Sequence, residues 1–311
     1  MATKTDARRL RTAATLAVLV AALLLQGCAV QRLIVNRVGD ALAGGGDVYA
    51  MDEDVELVGA ATPFGLKLLE SLLAESARHP GLLLALARGF TQYGYAYVEL
   101  PADALEDRDV EAAYAARARA RRLYLRARDY GLRGLESVHP GIGARLAADP
   151  RTALAMLERR DVPLTYWTAA AWGAAIALGK DDAFLVAGLP SVRALAARAL
   201  ELDESWDRGA LHVFAVSLVM SEPRPQAERI AAARGHLARA LELSGGAQAA
   251  PYVSFAEAVC VPRGDRAEFD AMLTRALAID PAAAPRARLA NELFQRRARA
   301  LRARVDQLFT S

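Results

Sequence analysis

Hydrophobic positions recur at helical spacing along most of this 311-residue chain. Leu68, Leu69, Leu72, Leu73 and Ser76 follow one another at i, i+1, i+4, i+5 and i+8, one face of a helix that stops at His79-Pro80-Gly81. Thr62-Pro63 reads as the N-cap and first position of that helix. Alanine, leucine, arginine and glutamate, all strong helix formers, dominate the rest. No run of β-branched residues alternates with period two, so the pattern predicts an all-α fold without a sheet.

Three segments end alike: Ala199-Leu-Glu-Leu-Asp203, Ala240-Leu-Glu-Leu-Ser244 and Ala276-Leu-Ala-Ile-Asp-Pro281. Their alanines are spaced by 41 and 36 residues, near the roughly 34-residue period of tetratricopeptide repeats. Trp206-x2-Gly209-Ala210-x2-Val213 and Tyr252-x2-Phe255-Ala256-x2-Val259 follow the outline of a first repeat helix, in which a small residue lets the paired helix approach. Ala120-x3-Tyr124-x2-Ala127 follows the outline of a second. The expected architecture is a tetratricopeptide-like solenoid of antiparallel helix pairs.

One stretch breaks the amphipathic pattern. From Thr12 to Leu25 the chain is apolar or small, for about fourteen residues against the roughly 20 needed to cross a bilayer. Lys4, Arg8, Arg9 and Arg11 precede it, and small residues close it, as in a secretory signal peptide. Leu25-Gln26-Gly27-Cys28 resembles a lipobox, with Gln26 its one departure. The expected organisation is a lipoprotein signal peptide at 1–27, a lipid-anchored tether at 28–61 containing the glycines 44–46, and the helical domain at 62–311. Cys28 is the expected lipid attachment site, which makes the membrane a partner through that lipid. Ala29 after the cysteine points to the outer membrane, because the aspartate that retains lipoproteins at the inner membrane is missing.

Removing the signal changes the charge picture. The chain carries 39 basic and 36 acidic side chains; residues 1–27 hold four of the basic ones and one acidic, leaving 35 of each. The isoelectric point near 9.0 therefore belongs largely to the signal, and no nucleic-acid partner is expected. The acidic run 51–56 lacks the glycine and distal glutamate of a calcium loop.

Candidate chemistry is sparse. With Cys28 lipidated, Cys260 has no disulfide partner and reads as a small buried apolar residue. His79, His139, His212 and His236 show no metal-pair spacing. His79 and His139 precede Pro-Gly, at helix ends, where a cationic side chain suits the macrodipole; His212 reads as a core histidine. No nucleophile elbow, phosphate loop or acid pair appears, so neither enzymatic activity nor a cofactor or metal is expected. Aromatic residues are grouped, as Tyr93, Tyr95 and Tyr97 and as Tyr166, Trp167 and Trp172. They suit inter-helix packing, and they also suit a binding surface; Tyr93, Tyr97, Tyr166, Trp167 and Trp172 are the candidate ligand or partner contacts. Arginine runs at 117–128 and 296–304 read as solvated helix faces, or as a surface for an acidic protein.

Five blocks carry a family resemblance: Thr91-Gln-Tyr-Gly-Tyr-Ala-Tyr97, Leu123 to Leu135, Tyr166-Trp-Thr-Ala-Ala-Ala-Trp-Gly-Ala-Ala175, Ala240 to Gly246, and Pro251 to Val259. Together they resemble the T component associated with TRAP (tripartite ATP-independent periplasmic) transporters, over about residues 45–309. The resemblance implies an all-α tetratricopeptide-like lipoprotein without enzymatic activity that associates with the periplasmic solute-binding protein. It also implies a homo-oligomer, a trimer first, and a cavity able to pass an apolar or organic-acid solute. The expected function is that of a periplasmic accessory subunit which docks the solute-binding protein. The alternative is a general tetratricopeptide-type envelope scaffold with no transported solute.

Overall fold

The computed structural model describes residues 46–309, apart from 107, together with positions 37, 40, 41 and 44. The lipobox and its Cys28 lie outside the described residues. Among those that are described the fold is entirely helical, with no strand.

A short helix α1 (Gly46–Ala50) leads into α2 (Val55–Glu75). The start of α2 corrects the reading of Thr62-Pro63. Asp54 is the cap, its carboxylate accepting the Leu57 N–H at 2.9 Å, and the helix runs on through Pro63. Thr62 instead donates its hydroxyl to the Val58 carbonyl one turn back, at 2.6 Å. A carboxylate at the helix start is the stronger cap for the orphan N–H groups there.

Next comes α3 (Pro80–Gly94), which passes through a single π turn, Tyr95–Glu99, into α4 (Leu100–Glu106). His79 caps the start of α3 with Nδ1, which accepts the Leu82 N–H at 3.2 Å. It thus serves the following helix through an unprotonated ring nitrogen, rather than the preceding one as a cation. The long α5 (Val110–Val138) is capped by Asp109. After it come α6 (Ile142–Ala148), α7 (Pro150–Leu154), α8 (Val162–Ala177), α9 (Ala183–Val186) and α10 (Leu189–Asp203). A tight turn at Trp206–Gly209 leads to α11 (Ala210–Met220) and α12 (Gln226–Ser244). Trp206 therefore lies in a turn and not in a first repeat helix. The chain continues as α13 (Ala250–Phe255), a second π turn Ala256–Cys260, and α14 (Val261–Arg263). It ends with α15 (Arg266–Leu277), α16 (Arg288–Ala303) and α17 (Val305–Leu308).

Neighbours in sequence pack side by side: α3 on α5, α5 on α8, α8 on α10, α11 on α12, and α15 on α16. Small residues set these approaches. The recurring alanines Ala199, Ala240 and Ala276 are fully buried, as are Ala120, Tyr124 and Ala127 of the second-helix outline. Where α5 crosses α8, a Cβ on Gly131 would lie 2.2 Å from the Thr168 hydroxyl, so only glycine permits the crossing. One core gathers Tyr124, Leu135, Leu157 and Leu195 around the first half; a second gathers Phe255, Val259, Cys260, Phe269 and Leu273 around the last helices. The array also meets itself, because α16 packs against α1 and α2.

Candidate functional site

Both π turns end two residues before a proline, Pro101 in one case and Pro262 in the other. In a regular α-helix each proline ring would press on the carbonyl four residues back and leave it without a donor. Widening the helix by one residue relieves this. The N–H of Leu100 then reaches Tyr95 and that of Val261 reaches Ala256, five residues back. Each π turn carries one glutamate, Glu99 or Glu257.

Those glutamates enter a polar seam that joins the two ends of the chain. Tyr124, fully buried on α5, donates its hydroxyl to Glu99. Arg297 on α16 binds Glu257, with Nε donating at 3.0 Å, and also Asp103 on α4. Arg117 donates to Asp103 at 2.7 Å and to Glu106 at 2.9 Å, and Arg304 reaches Glu106 at 3.1 Å. Arg288 and Arg296 pair with Glu53 and Glu56. Within the two arginine runs, Arg117, Arg297 and Arg304 are thus largely covered and engaged by the chain's own carboxylates, which corrects the reading of these three as solvated, while Arg119 and Arg122 stay exposed.

Burial pushes the Glu99 carboxyl up, partly offset by the Tyr124 hydrogen bond. Burial likewise opposes ionisation of Asp103, but Arg117 and Arg297 outweigh it and hold that carboxyl below the usual range. Tyr95 and Tyr124 are driven far above the phenol range, first by burial and then by neighbouring carboxylates. The seam offers no nucleophile with an adjacent base. Its chemistry is that of ionic closure.

The sequence-predicted aromatic contacts fall into separate groups. Tyr93 and Tyr97 meet at a tilt with centroids 5.7 Å apart, and Arg119 lies over Tyr93 at 5.8 Å. The Tyr97 hydroxyl donates to the Val55 carbonyl at 3.0 Å, and its ring fills the space beside Gly59, where a Cβ would stand 2.5 Å away. Burial pushes the Tyr97 phenol up to about 12. Tyr166 meets Trp167 edge-on at 4.9 Å and Trp206 at 4.8 Å, with Phe214 at 6.1 Å. Trp172 packs on the first core against Gly188, with Arg128 over its ring at 5.5 Å. Its indole N–H is buried and makes no hydrogen bond.

Two residues without a motif in the sequence, Asp207 and Arg208, follow Trp206, and Asp207 lies near Tyr166. Asp207 and Arg208 adopt left-handed backbone at φ 46° and 54°, followed by Gly209 at 91°. A run of this kind is strained for residues with a Cβ. Asp207 is exposed, yet the surrounding protein raises its carboxyl pKa, against the charges of Arg208 and then Arg88. The Asp-Arg-Gly triplet hints at a turn, but nothing in it marks the contact with α3. Two open grooves flank α5, about 400 Å³ around Arg122, Arg126 and Arg133 and about 410 Å³ around Tyr97, Pro101 and Arg119. Cys260 is fully buried and its thiol is pushed up to about 12 by burial, as its apolar setting predicts. Among the described residues no group of three or more His, Cys, Asp or Glu could hold a metal ion.

Comparison with known proteins covers this same architecture. Residues 51–309 match the family described as TRAP transporter T-component, a span reaching from just before α2 to the end of α17. The chain belongs to the TRAP transporter T-component family. A protein of Treponema pallidum (strain Nichols), described as "Uncharacterized protein", is 32% identical over 92% of this chain and 94% of its own length. As a T-component, the chain serves as an accessory to a TRAP transporter, and the family is not one of known enzymes. Both π turns and the whole seam from Glu53 to Arg304 lie inside the matched span.

Proposed function

We propose that this T-component is a lipid-anchored periplasmic subunit, most simply of the outer membrane, that docks the solute-binding protein and passes on an apolar or organic-acid ligand. The observation that carries the reading is the family match over 51–309. Signal and lipobox supply the anchor at Cys28. Stacked helix pairs of tetratricopeptide-like form supply an extended surface of the kind that binds proteins. Tyr93, Tyr97, Tyr166, Trp167 and Trp172 are the proposed contacts, since partly buried aromatic residues make strong anchors. A cavity or channel for the ligand and a homotrimeric assembly are proposed along with that role.

The test is co-purification of the full-length lipoprotein with a TRAP solute-binding protein from the same organism, before and after Trp167→Ala. Capture of the wild type, weakened about tenfold or more in the variant at unchanged melting temperature, is expected of an anchor. No capture at micromolar concentrations would overturn the docking role. Labelling with a radioactive fatty acid tests Cys28 separately.

A further inference from the structure

The outer surface of the molecule at α2 departs from the usual polar pattern. This helix is long and apolar enough to cross a membrane, yet little of it is buried. Its buried side, Val55, Val58, Leu66 and Leu73, faces the core. The opposite side should be polar on a water-facing helix. It is not: Leu57 is 58% exposed, Phe64 76% and Leu68 40%, at i, i+7 and i+11 along one stripe, with Ala61 exposed between them. Val48, Tyr49 and Met51, just ahead of α2, are exposed too, and the Tyr49 hydroxyl lies beside Gly65. A contiguous apolar surface of this kind marks a docking face.

What flanks the stripe indicates its occupant. On one side stands Lys67, its side chain 70% exposed, and then Glu70, which binds Arg126 of α5. Tyr130 of α5 also donates its hydroxyl to Glu70 at 2.6 Å, so α5 meets α2 through these side chains. The outward side of α5 presents Arg119, Arg122, Arg126 and Arg133. Among the described residues Arg119, Arg122 and Arg133 have no carboxylate partner, whereas the seam arginines do. Once the signal is removed the chain is neutral overall, so this stripe is a local excess of positive charge.

An apolar stripe bordered by unneutralised arginines is the pattern of an interfacial helix seated on anionic lipid. Position agrees. Eighteen residues separate Cys28 from Gly46, a reach of at most roughly 60 Å, so a lipid on Cys28 keeps α2 close to the bilayer. An apolar–basic patch adds to the lipid on Cys28 a second contact with the bilayer, one that can fix orientation. We infer that α2 and the arginine stripe of α5 form a membrane-docking face that lies on an anionic bilayer surface, holding the rest of the molecule in a fixed orientation above it. This rests on the lipid-anchored reading, but its test does not use the lipid.

The experiment takes the mature chain from residue 28 with Cys28→Ser, so that no acyl chain contributes. Sedimentation with vesicles of phosphatidylcholine and phosphatidylglycerol should capture it, and vesicles of phosphatidylcholine alone should capture it at least about tenfold less. Binding should weaken as salt rises. Leu57→Glu with Phe64→Glu should reduce capture at least about tenfold, and Arg122→Glu about fivefold or more; all three positions are exposed, so melting should not change. Absence of capture on anionic vesicles overturns the inference, as does capture indifferent to these substitutions. If the wild type self-associates and Leu57→Glu with Phe64→Glu abolishes that while vesicles capture nothing, the face belongs to a second copy and the inference fails. A failure of fatty-acid labelling with vesicle capture intact would remove the anchor and leave this face standing.

Discussion

Tyr95–Glu99 and Ala256–Cys260 are both single π turns followed by a proline, and each brings one glutamate to the seam, but the two carboxylates meet different company. Glu257 faces a guanidinium, Arg297, that also binds Asp103. Glu99 faces a phenol, Tyr124, and burial there pushes its carboxyl up. One π turn therefore contributes to a charged clasp between the ends of the chain, and the other ends in a buried hydrogen bond inside the first half. The same backbone device yields an ionic joint in one place and a neutral-leaning one in the other. What decides between them is the residue that the opposing helix presents.

The largest effect should come from removing the cation of the clasp. Arg297→Ala leaves Asp103 and Glu257 facing each other with Arg117 as the remaining donor, and the Arg297 side chain is only 15% exposed. Breaking such a pair costs about 3 kcal/mol when the partner charge stays buried. Denaturant unfolding should show that loss, accompanied by weaker protection of α16 in hydrogen exchange. A loss below about 1 kcal/mol would mean that water takes over the role of Arg297 and that the ends of the chain are only loosely joined.

Smaller, and specific to the other π turn, is the effect of Tyr124→Phe. It deletes the donor to a buried carboxylate, worth about 1–2 kcal/mol. The pH dependence then separates the two sites. A carboxyl raised above its unfolded pKa, as Glu99 is, stabilises the fold fully below the unfolded value and loses that contribution as pH rises through the folded value. Asp103 is lowered, so its contribution is present above the unfolded value and is lost as pH falls through the folded one. Stability measured against pH should therefore lose its alkaline-going decline in Glu99→Gln and its acid-going decline in Asp103→Asn. Tyr124→Phe, which removes what favours the ionised Glu99, should move the first decline to higher pH. Identical profiles for Glu99→Gln and the wild type would show that Glu99 titrates as a solvated group.

The all-α fold was legible because helix propensity and period are local properties, and the repeated alanines Ala199, Ala240 and Ala276 do lie buried at helix contacts. Cys260 was legible for the same reason, being set among apolar neighbours. The start of α2 was misread at Thr62-Pro63 because a proline after a threonine looks like a helix start, while the decisive Asp54 sits in an acidic run that resembles linker. The seam could not be seen at all. Asp103 and Arg297 are 194 positions apart, and an arginine in a helix looks the same in sequence whether it faces water or a carboxylate from the far end of the chain. The aromatic groups were found as groups, but no spacing rule tells that Tyr97 bonds to Val55 or that Trp172 rests on Gly188.

The smallest effect, and the one that probes the shared cause, concerns the two prolines. Replacing either by alanine restores an N–H and removes the ring that favours the wide turn. It also frees the unfolded chain, which by itself costs about 0.4–1 kcal/mol. Return of the first turn to α geometry would rotate Tyr95 and Glu99 relative to α4, and so break the Tyr124 hydrogen bond and turn a buried phenol. The π turn should therefore survive Pro101→Ala, with the small entropic loss as the only thermodynamic effect. The second turn sets half-buried Glu257 against the long, adjustable side chain of Arg297, while the buried Ala256, Val259 and Cys260 pack through shape rather than through directed bonds. Pro262→Ala should relax toward α geometry, offset the entropic loss with a recovered backbone hydrogen bond, and leave stability within about 0.5 kcal/mol of the wild type. Amide exchange decides the matter. The new amide at 262 should be protected and the new amide at 101 should exchange quickly. Protection at both would show that proline alone holds the two π turns open, and that the buried Glu99–Tyr124 bond adapts to the geometry instead of fixing it.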